Sequence, residues 1–132
     1  MKFLIDTNIA IHARDGFEPV LDRLDRHEGA VFLSALSLAE LQRGLYAANP
    51  DSALRQVRLR RILQTVPVVA FDATAAETYG QIIAQIGWAR RRDFDRLIAA
   101  HALATGCTLV TANSPDFSDI PGLSLENWAV AA

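Results

Sequence analysis

The sequence predicts an α/β fold, a three-layer α/β/α sandwich around a mostly parallel five-stranded sheet. Three observations lead there. Short apolar runs recur along the chain and are continuous rather than alternating, as in strands covered on both faces. Amphipathic segments with helical spacing separate those runs, so strand and helix alternate as βαβ units require. The 132 residues, 51% hydrophobic and 21% charged, suffice for one ordered domain over residues 1–132 and leave no room for two.

Lys2 to Ile5 opens the chain as a first strand and stops at Asp6-Thr7-Asn8. Ile9 to Arg14 and Val20 to His27 read as one or two helices, interrupted at Gly16 and Pro19. Ala30 to Leu33 is the second apolar run, followed by Ser34. Leu38 to Ala47 is amphipathic and ends before Asn49-Pro50. Ser52 to Gln64 is a helix carrying Leu54, Val57 and Leu63 towards a core, with arginines opposite. Val66 to Phe71 is the third strand, and Pro67 suggests an edge position or a strand start.

Asp72 begins a long helix whose apolar positions Ala76, Tyr79, Ile82, Ile83 and Ile86 recur at helical spacing. Asp95 to Thr105 is the next helix, stopped by Gly106. Cys107 to Thr111 is the fourth strand, and Leu123-Ser124-Leu125 is a candidate fifth. No internal repeat, linker or low-complexity tract interrupts this series.

Composition narrows the function. The net charge of −2 does not advertise the whole molecule to polyanions. Lys2 is the only lysine, and the arginines cluster at Arg55, Arg58, Arg60, Arg61 and at Arg90, Arg91, Arg92, Arg96, so any nucleic-acid affinity is local. The single cysteine, Cys107, excludes a disulfide within the chain and reads as a small core residue, which suits a reducing cytoplasm. No apolar stretch is long enough to span a bilayer, and the apolar start ends too soon at Asp6 for a signal peptide. His12, His27 and His101 form no pair with ligand spacing, which argues against a histidine–zinc site.

The acids carry the argument further. In open parallel sheets the binding crevice lies beyond the carboxyl ends of the strands. Asp6 follows the first strand directly, and Glu40 falls in the first turn of the helix after the second. Asp95 opens the helix leading to the fourth strand, and Asp116 follows that strand. Four carboxylates on one rim repel one another, and oxygen-only ligands favour Mg²⁺ or Mn²⁺ over Zn²⁺ as the remedy.

Capping and turns compete with that reading. Ser37-Leu38-Ala39-Glu40 matches a capping box, Asp93 or Asp95 can cap a helix, and Asp116 follows a proline as turn acids do. Asp6 is the acid that capping explains least readily, although Asp6 or Asn8 can cap the helix that follows. The joint pattern favours the site.

With those residues in place the sequence resembles the PIN-domain family, and within it the VapC toxins of type II toxin–antitoxin pairs. The resemblance covers nearly the whole chain. Its carriers are Phe3-Leu4-Ile5-Asp6-Thr7-Asn8, then Ser37-Leu38-Ala39-Glu40-Leu41-Gln42-Arg43-Gly44. Asp95-Arg96-Leu97-Ile98-Ala99-Ala100-His101-Ala102 and Leu109-Val110-Thr111-Ala112-Asn113-Ser114-Pro115-Asp116-Phe117 follow in order, with an ending from Ile120 to Trp128.

The resemblance implies a metal-dependent endoribonuclease in which Asp6, Glu40, Asp95 and Asp116 bind Mg²⁺ or Mn²⁺. Thr7, Asn8, Thr111 and Asn113 match its polar residues and orient the carboxylates or the attacking water. Asp93 is a further candidate acid, assisting the site or capping the helix. Arg90, Arg91, Arg92 and Arg96 are candidates for RNA phosphates, the alternative for the first three being compensation of the preceding helix dipole. The Arg90-Arg91-Arg92 run is not a usual feature of the family motif. The implied partners are an RNA substrate, a cognate antitoxin protein and a second copy of the chain.

Two other classes compete. A phosphatase or receiver-type phosphoacceptor also places acids at strand ends, but needs a nearby lysine, and the phosphatase needs an Asp-x-Asp start where this chain has Asp6-Thr7-Asn8. A catalytically weak PIN-like module that only binds RNA or protein would be expected to lose acids, and all four are present here.

Overall fold

The computed structural model of the chain describes residues 1–46 and 51–130. Its strands are β1 (Phe3–Ile5), β2 (Val31–Ser34), β3 (Val68–Val69), β4 (Thr108–Val110) and β5 (Leu125–Glu126). They form one sheet in the order β3-β2-β1-β4-β5, and every pairing is parallel. Leu4 stands in register between Phe32 and Leu109, which makes β1 the centre of the sheet. The helices are α1 (Thr7–Arg14), α2 (Glu18–Arg26), α3 (Ala35–Tyr46), α4 (Ser52–Leu63), α5 (Ala73–Ile86) and α6 (Asp93–Thr105). Two 3₁₀ turns, Arg90–Arg92 and Ser114–Phe117, complete the described elements.

The continuous apolar runs are explained by two cores. Side chains alternate along a strand, so Phe3, Ile5, Val31, Leu33 and Val110 face one layer and Leu4 and Leu109 the other. The first layer is closed by Ile9, Val20, Leu41, Leu45, Leu59 and Ile62 from α1 to α4. The second is closed by Ile82 of α5 and by Ile98, Ala99 and Ala102 of α6. Ala99 and Ala102 are fully buried, and their small size lets α6 lie close against the sheet. Cys107 is buried and unpaired in this second core.

Pro67 sits just before β3, which is an edge strand as its proline suggested; its carbonyl accepts the Leu33 amide at 3.0 Å. Gly106 closes α6 in the left-handed conformation, φ 68°, where a side chain would be strained. Among the described residues no helix is long and apolar enough to cross a membrane.

Several expectations are corrected. α3 starts at Ala35, three residues before the predicted start, because Ser34 Oγ accepts the Leu36 amide at 3.1 Å. Ser37 is therefore a buried residue inside the helix, and Ser37-Leu38-Ala39-Glu40 is not a capping box. Glu40 lies in the second turn, not the first. The predicted end of this helix at Ala47, before Asn49-Pro50, lies outside the described residues.

On α4 it is Leu59 and Ile62 that are buried, while Leu54 and Val57 are exposed. At about 100° per residue Val57 lies roughly 200° from Leu59, on the far face. Ala75 rather than Ala76 points inward on α5. The fifth strand runs over Leu125–Glu126, two residues later than the predicted run began. α6 begins at Asp93, so Asp95 is its third residue.

Candidate active site

The strand order reverses beside β1, since β2 and β3 lie to one side and β4 and β5 to the other. Helices leave in opposite directions at such a point, and a crevice opens at the carboxyl ends of the two central strands. Asp6 is the first residue after β1, and Thr111 the first after β4. The Asp6 amide donates to Val110 O at 2.9 Å, which fixes the two ends side by side.

Asp6 is 8% exposed and does two things at once. Its Oδ1 accepts the Ile9 amide at 2.9 Å, so the acid least expected to cap a helix is the N-cap of α1. The Thr111 hydroxyl donates to the same carboxyl group and accepts the Asn113 amide at 3.0 Å. Burial pushes the Asp6 pKa up, the bonds from Thr111 and Ile9 oppose that rise, and the Glu40 charge adds to it.

Glu40 reaches the crevice from α3. Thr7 Oγ1 donates to Glu40 Oε1 at 2.6 Å, and Arg43 Nη2 stands 3.7 Å from Oε2. Asp116 arrives on the 3₁₀ turn after β4, where the Asn113 side-chain amide donates to its Oδ2. Three of the four polar residues predicted to orient the site thus hold a predicted acid directly: Thr7 on Glu40, Thr111 on Asp6 and Asn113 on Asp116. Asn8 is exposed on the wall of the cleft.

Asp95 shows how the acids act on one another. Its carboxyl group is half-buried and its pKa is pushed up to about 6. Desolvation is the largest cause, followed by the charges of Asp116, Asp6 and Glu40, with Arg92 opposing them. The four predicted acids therefore share one electrostatic neighbourhood.

Asp6, Glu40 and Asp95 line a cleft of about 560 Å³ together with Thr7, Asn8 and Arg43, and Phe94 and Phe117 form its apolar wall. Asp116 is not part of that wall and joins the group through its effect on Asp95. Among the described residues no three acid, histidine or cysteine side chains converge closely enough to enclose an ion. The donor set still fits a hard cation, because it is all oxygen and because Mg²⁺ keeps several waters and needs only one or two carboxylates.

Some predicted residues go elsewhere. Asp93 Oδ1 accepts from Tyr79 OH and from Trp88 Nε1, so this acid ties α5 to the start of α6 and does not line the cleft. That bond holds the Tyr79 phenol above its usual pKa. Arg96 is 5% exposed; it donates to Gly87 O and pairs with Asp119 Oδ2 at 3.4 Å, so it is not available to a phosphate. Arg90, Arg91 and Arg92 are exposed on a turn running into the N-terminus of α6, well past the end of α5 at Ile86. Cations at that end oppose the helix dipole, so compensation of the preceding helix does not account for them.

Sequence reasoning missed Arg43, whose signal was its position one turn after Glu40, and the aromatic wall, which had none. His101, fully buried, places Nδ1 2.8 Å from Ser34 Oγ and links α6 to the end of β2.

The PIN domain family profile matches residues 3–123. The chain belongs to the PIN domain family. Among its relatives, the tRNA(fMet)-specific endonuclease VapC of Shigella flexneri is 32% identical over 133 residues, spanning 98% of this chain and 99% of the relative. Ribonuclease VapC2 of Rickettsia felis is 33% identical over 135 residues, spanning 97% and 98%. The fold superposes with a TM-score of 0.85 on a chain of VapBC2 from Rickettsia felis bound to a DNA fragment from their promoter, at 31% identity and 97% and 99% coverage. DNA-bound VapBC from Salmonella typhimurium gives a TM-score of 0.87 at 27% identity, covering 97% and 98%. The parallel five-stranded PIN sheet predicted from sequence is the observed one.

Proposed function

We propose that this PIN protein is a divalent-metal-dependent endoribonuclease and the toxin of a VapBC-type toxin–antitoxin pair. The observation that carries the reading is the effect of three acids on a fourth: Asp116, Asp6 and Glu40 all raise the pKa of Asp95. Such repulsion costs stability and is relieved by a cation. The relatives named VapC ribonucleases match over almost their full length, which supports RNA as the substrate class.

Asp6, Glu40, Asp95 and Asp116 would hold the ion, Mg²⁺ or Mn²⁺, sharing it with water. When bound, such an ion polarises the scissile phosphodiester and lowers the pKa of water for in-line attack. The chain's own part is positional. Thr111 and the Ile9 amide fix Asp6, Thr7 fixes Glu40, and Asn113 fixes Asp116. Arg43 on the cleft wall and Arg92, which donates to Asp116 O at 3.1 Å, meet the phosphates beside the cut.

The test is Asp6→Asn. Asparagine caps a helix about as well as aspartate, so the variant folds while cleavage of RNA in Mg²⁺ is abolished. Wild-type cleavage by folded Asp6→Asn would remove the assigned site. The partner reading is supported by the assemblies named above and by Tyr46, Leu54 and Val57, large apolar side chains left exposed on α3 and α4. A cognate antitoxin or a second copy of the chain would cover them. Co-expression with a candidate antitoxin chain tests this: a complex that copurifies and no longer cuts RNA is the expected result.

A further inference from the structure

We propose that Trp88, Arg90 and Arg91 form a ridge beside the acid cleft that takes unpaired RNA nucleotides, the indole stacking on a base and the guanidinium groups meeting its phosphates. The inference rests on the ribonuclease reading above and adds a stacking subsite on the α5–α6 connection.

The ridge is built on the connection between α5 and α6. Gly87, at φ 80°, ends α5, and Trp88 follows it. Trp88 is 61% exposed in a chain that buries its other tryptophan, Trp128, completely. Among the described residues its indole contacts no other ring. Its edge is tethered, with Nε1 3.1 Å from Asp93 Oδ1, and Asp93 is held in turn by Tyr79. From beneath, buried Arg96 donates to the Gly87 carbonyl. An exposed aromatic ring held by its edge and braced at its backbone is a stacking surface with little left to order on binding.

The arginines point to a polyanion. Folding does not account for Arg90 and Arg91 at the head of α6, where they oppose the helix dipole. Arg90 and Arg91 are exposed and make no ion pair among the described residues. Arg92 reaches across to Asp116 O, which sets the ridge against the acid group. A cleft lined by carboxylates repels a phosphate chain, and a cationic border lowers that barrier. The ligand is unpaired, because a base inside a duplex offers no face to an indole.

The test uses the full chain carrying Asp6→Asn, so that RNA is bound and not cut, with an oligoadenylate of about ten nucleotides as the probe. Saturable quenching of tryptophan emission is expected. Trp88→Ala in that background weakens binding roughly 10-fold, and Trp88→Phe recovers most of the loss. Arg90→Ala with Arg91→Ala lowers the slope of log affinity against log salt by about 1.4. Circular dichroism verifies that these surface variants stay folded.

Unchanged oligoadenylate affinity in Trp88→Ala, while the wild-type chain cuts RNA, overturns the ridge and leaves the ribonuclease reading standing. A Trp88→Ala defect confined to the complex with a copurifying protein also overturns it and makes the surface a protein contact. A wild-type chain that neither cuts nor binds RNA removes both readings together.

Discussion

Thr7 Oγ1 donates to Glu40 Oε1 at 2.6 Å, joining the first residue of α1 to the second turn of α3 across 33 positions of sequence. The bond fixes one carboxylate of the site relative to another, because Thr7 is the immediate neighbour of Asp6. Thr7→Val keeps the shape and removes the donor. We expect the Mg²⁺ concentration for half-maximal cleavage to rise about 10-fold or more, with little loss of thermal stability. An unchanged metal requirement would show that Glu40 needs no such support.

Ser37 separates two accounts of α3. As the N-cap of a capping box it would lose about 1 kcal/mol on replacement by alanine. Inside the helix its hydroxyl is buried with no hydrogen-bond partner among the described residues, and alanine removes that unsatisfied group. Ser37→Ala should therefore leave the chain as stable or more so. Ser34→Ala should cost about 1 kcal/mol or more, because it strips the Leu36 amide and His101 of their partner. Urea midpoints of the two variants provide the comparison.

Asp93 and Asp95 give a contrast in kinetics. Two residues apart on a helix, they point about 200° from one another. Asp95→Asn should abolish turnover. Asp93→Ala should lower the melting temperature by several degrees through loss of the Tyr79 and Trp88 bonds, leaving kcat within a few-fold of wild type. Loss of turnover in a folded Asp93→Ala protein would return Asp93 to the site.

The pH dependence has a definite sign. The Asp95 carboxyl, ordinarily 3.8, is pushed up to about 6 in the folded chain, so the folded state takes up its proton before the unfolded state does. In chelator-treated protein this group's contribution to stability is full below the unfolded value of 3.8 and is lost as pH rises through about 6. A divalent cation competes with that proton, so the rise in melting temperature on adding Mg²⁺ should be large at about pH 7.5 and small at about pH 5. Equal increments at both values would separate Asp95 from the ion.

Much of the fold was legible because it is written locally. Each strand is a run of apolar residues buried on both faces, and Phe3, Leu4 and Ile5 show why no alternation is visible: successive side chains enter different cores that are equally dry. Pro67 marked an edge because it lacks an amide to donate. α4 misled for the opposite reason. Leu54 and Val57 are apolar residues on an outward face, and an isolated helix pattern does not say which face the rest of the chain covers.

The sequence by itself determined which acids lie after which strands, since order and spacing place Asp6, Glu40, Asp95 and Asp116 at one edge of a parallel sheet. Only the tertiary structure decided what each charge does there. It made Asp6 a helix cap as well as a wall of the cleft, sent Asp93 to Tyr79 and Trp88, and spent Arg96 on Gly87 and Asp119. Those outcomes depend on partners far away in sequence and on which side of a helix faces the crevice. A motif records residue type and spacing, but burial and side-chain direction arise only when the layers pack.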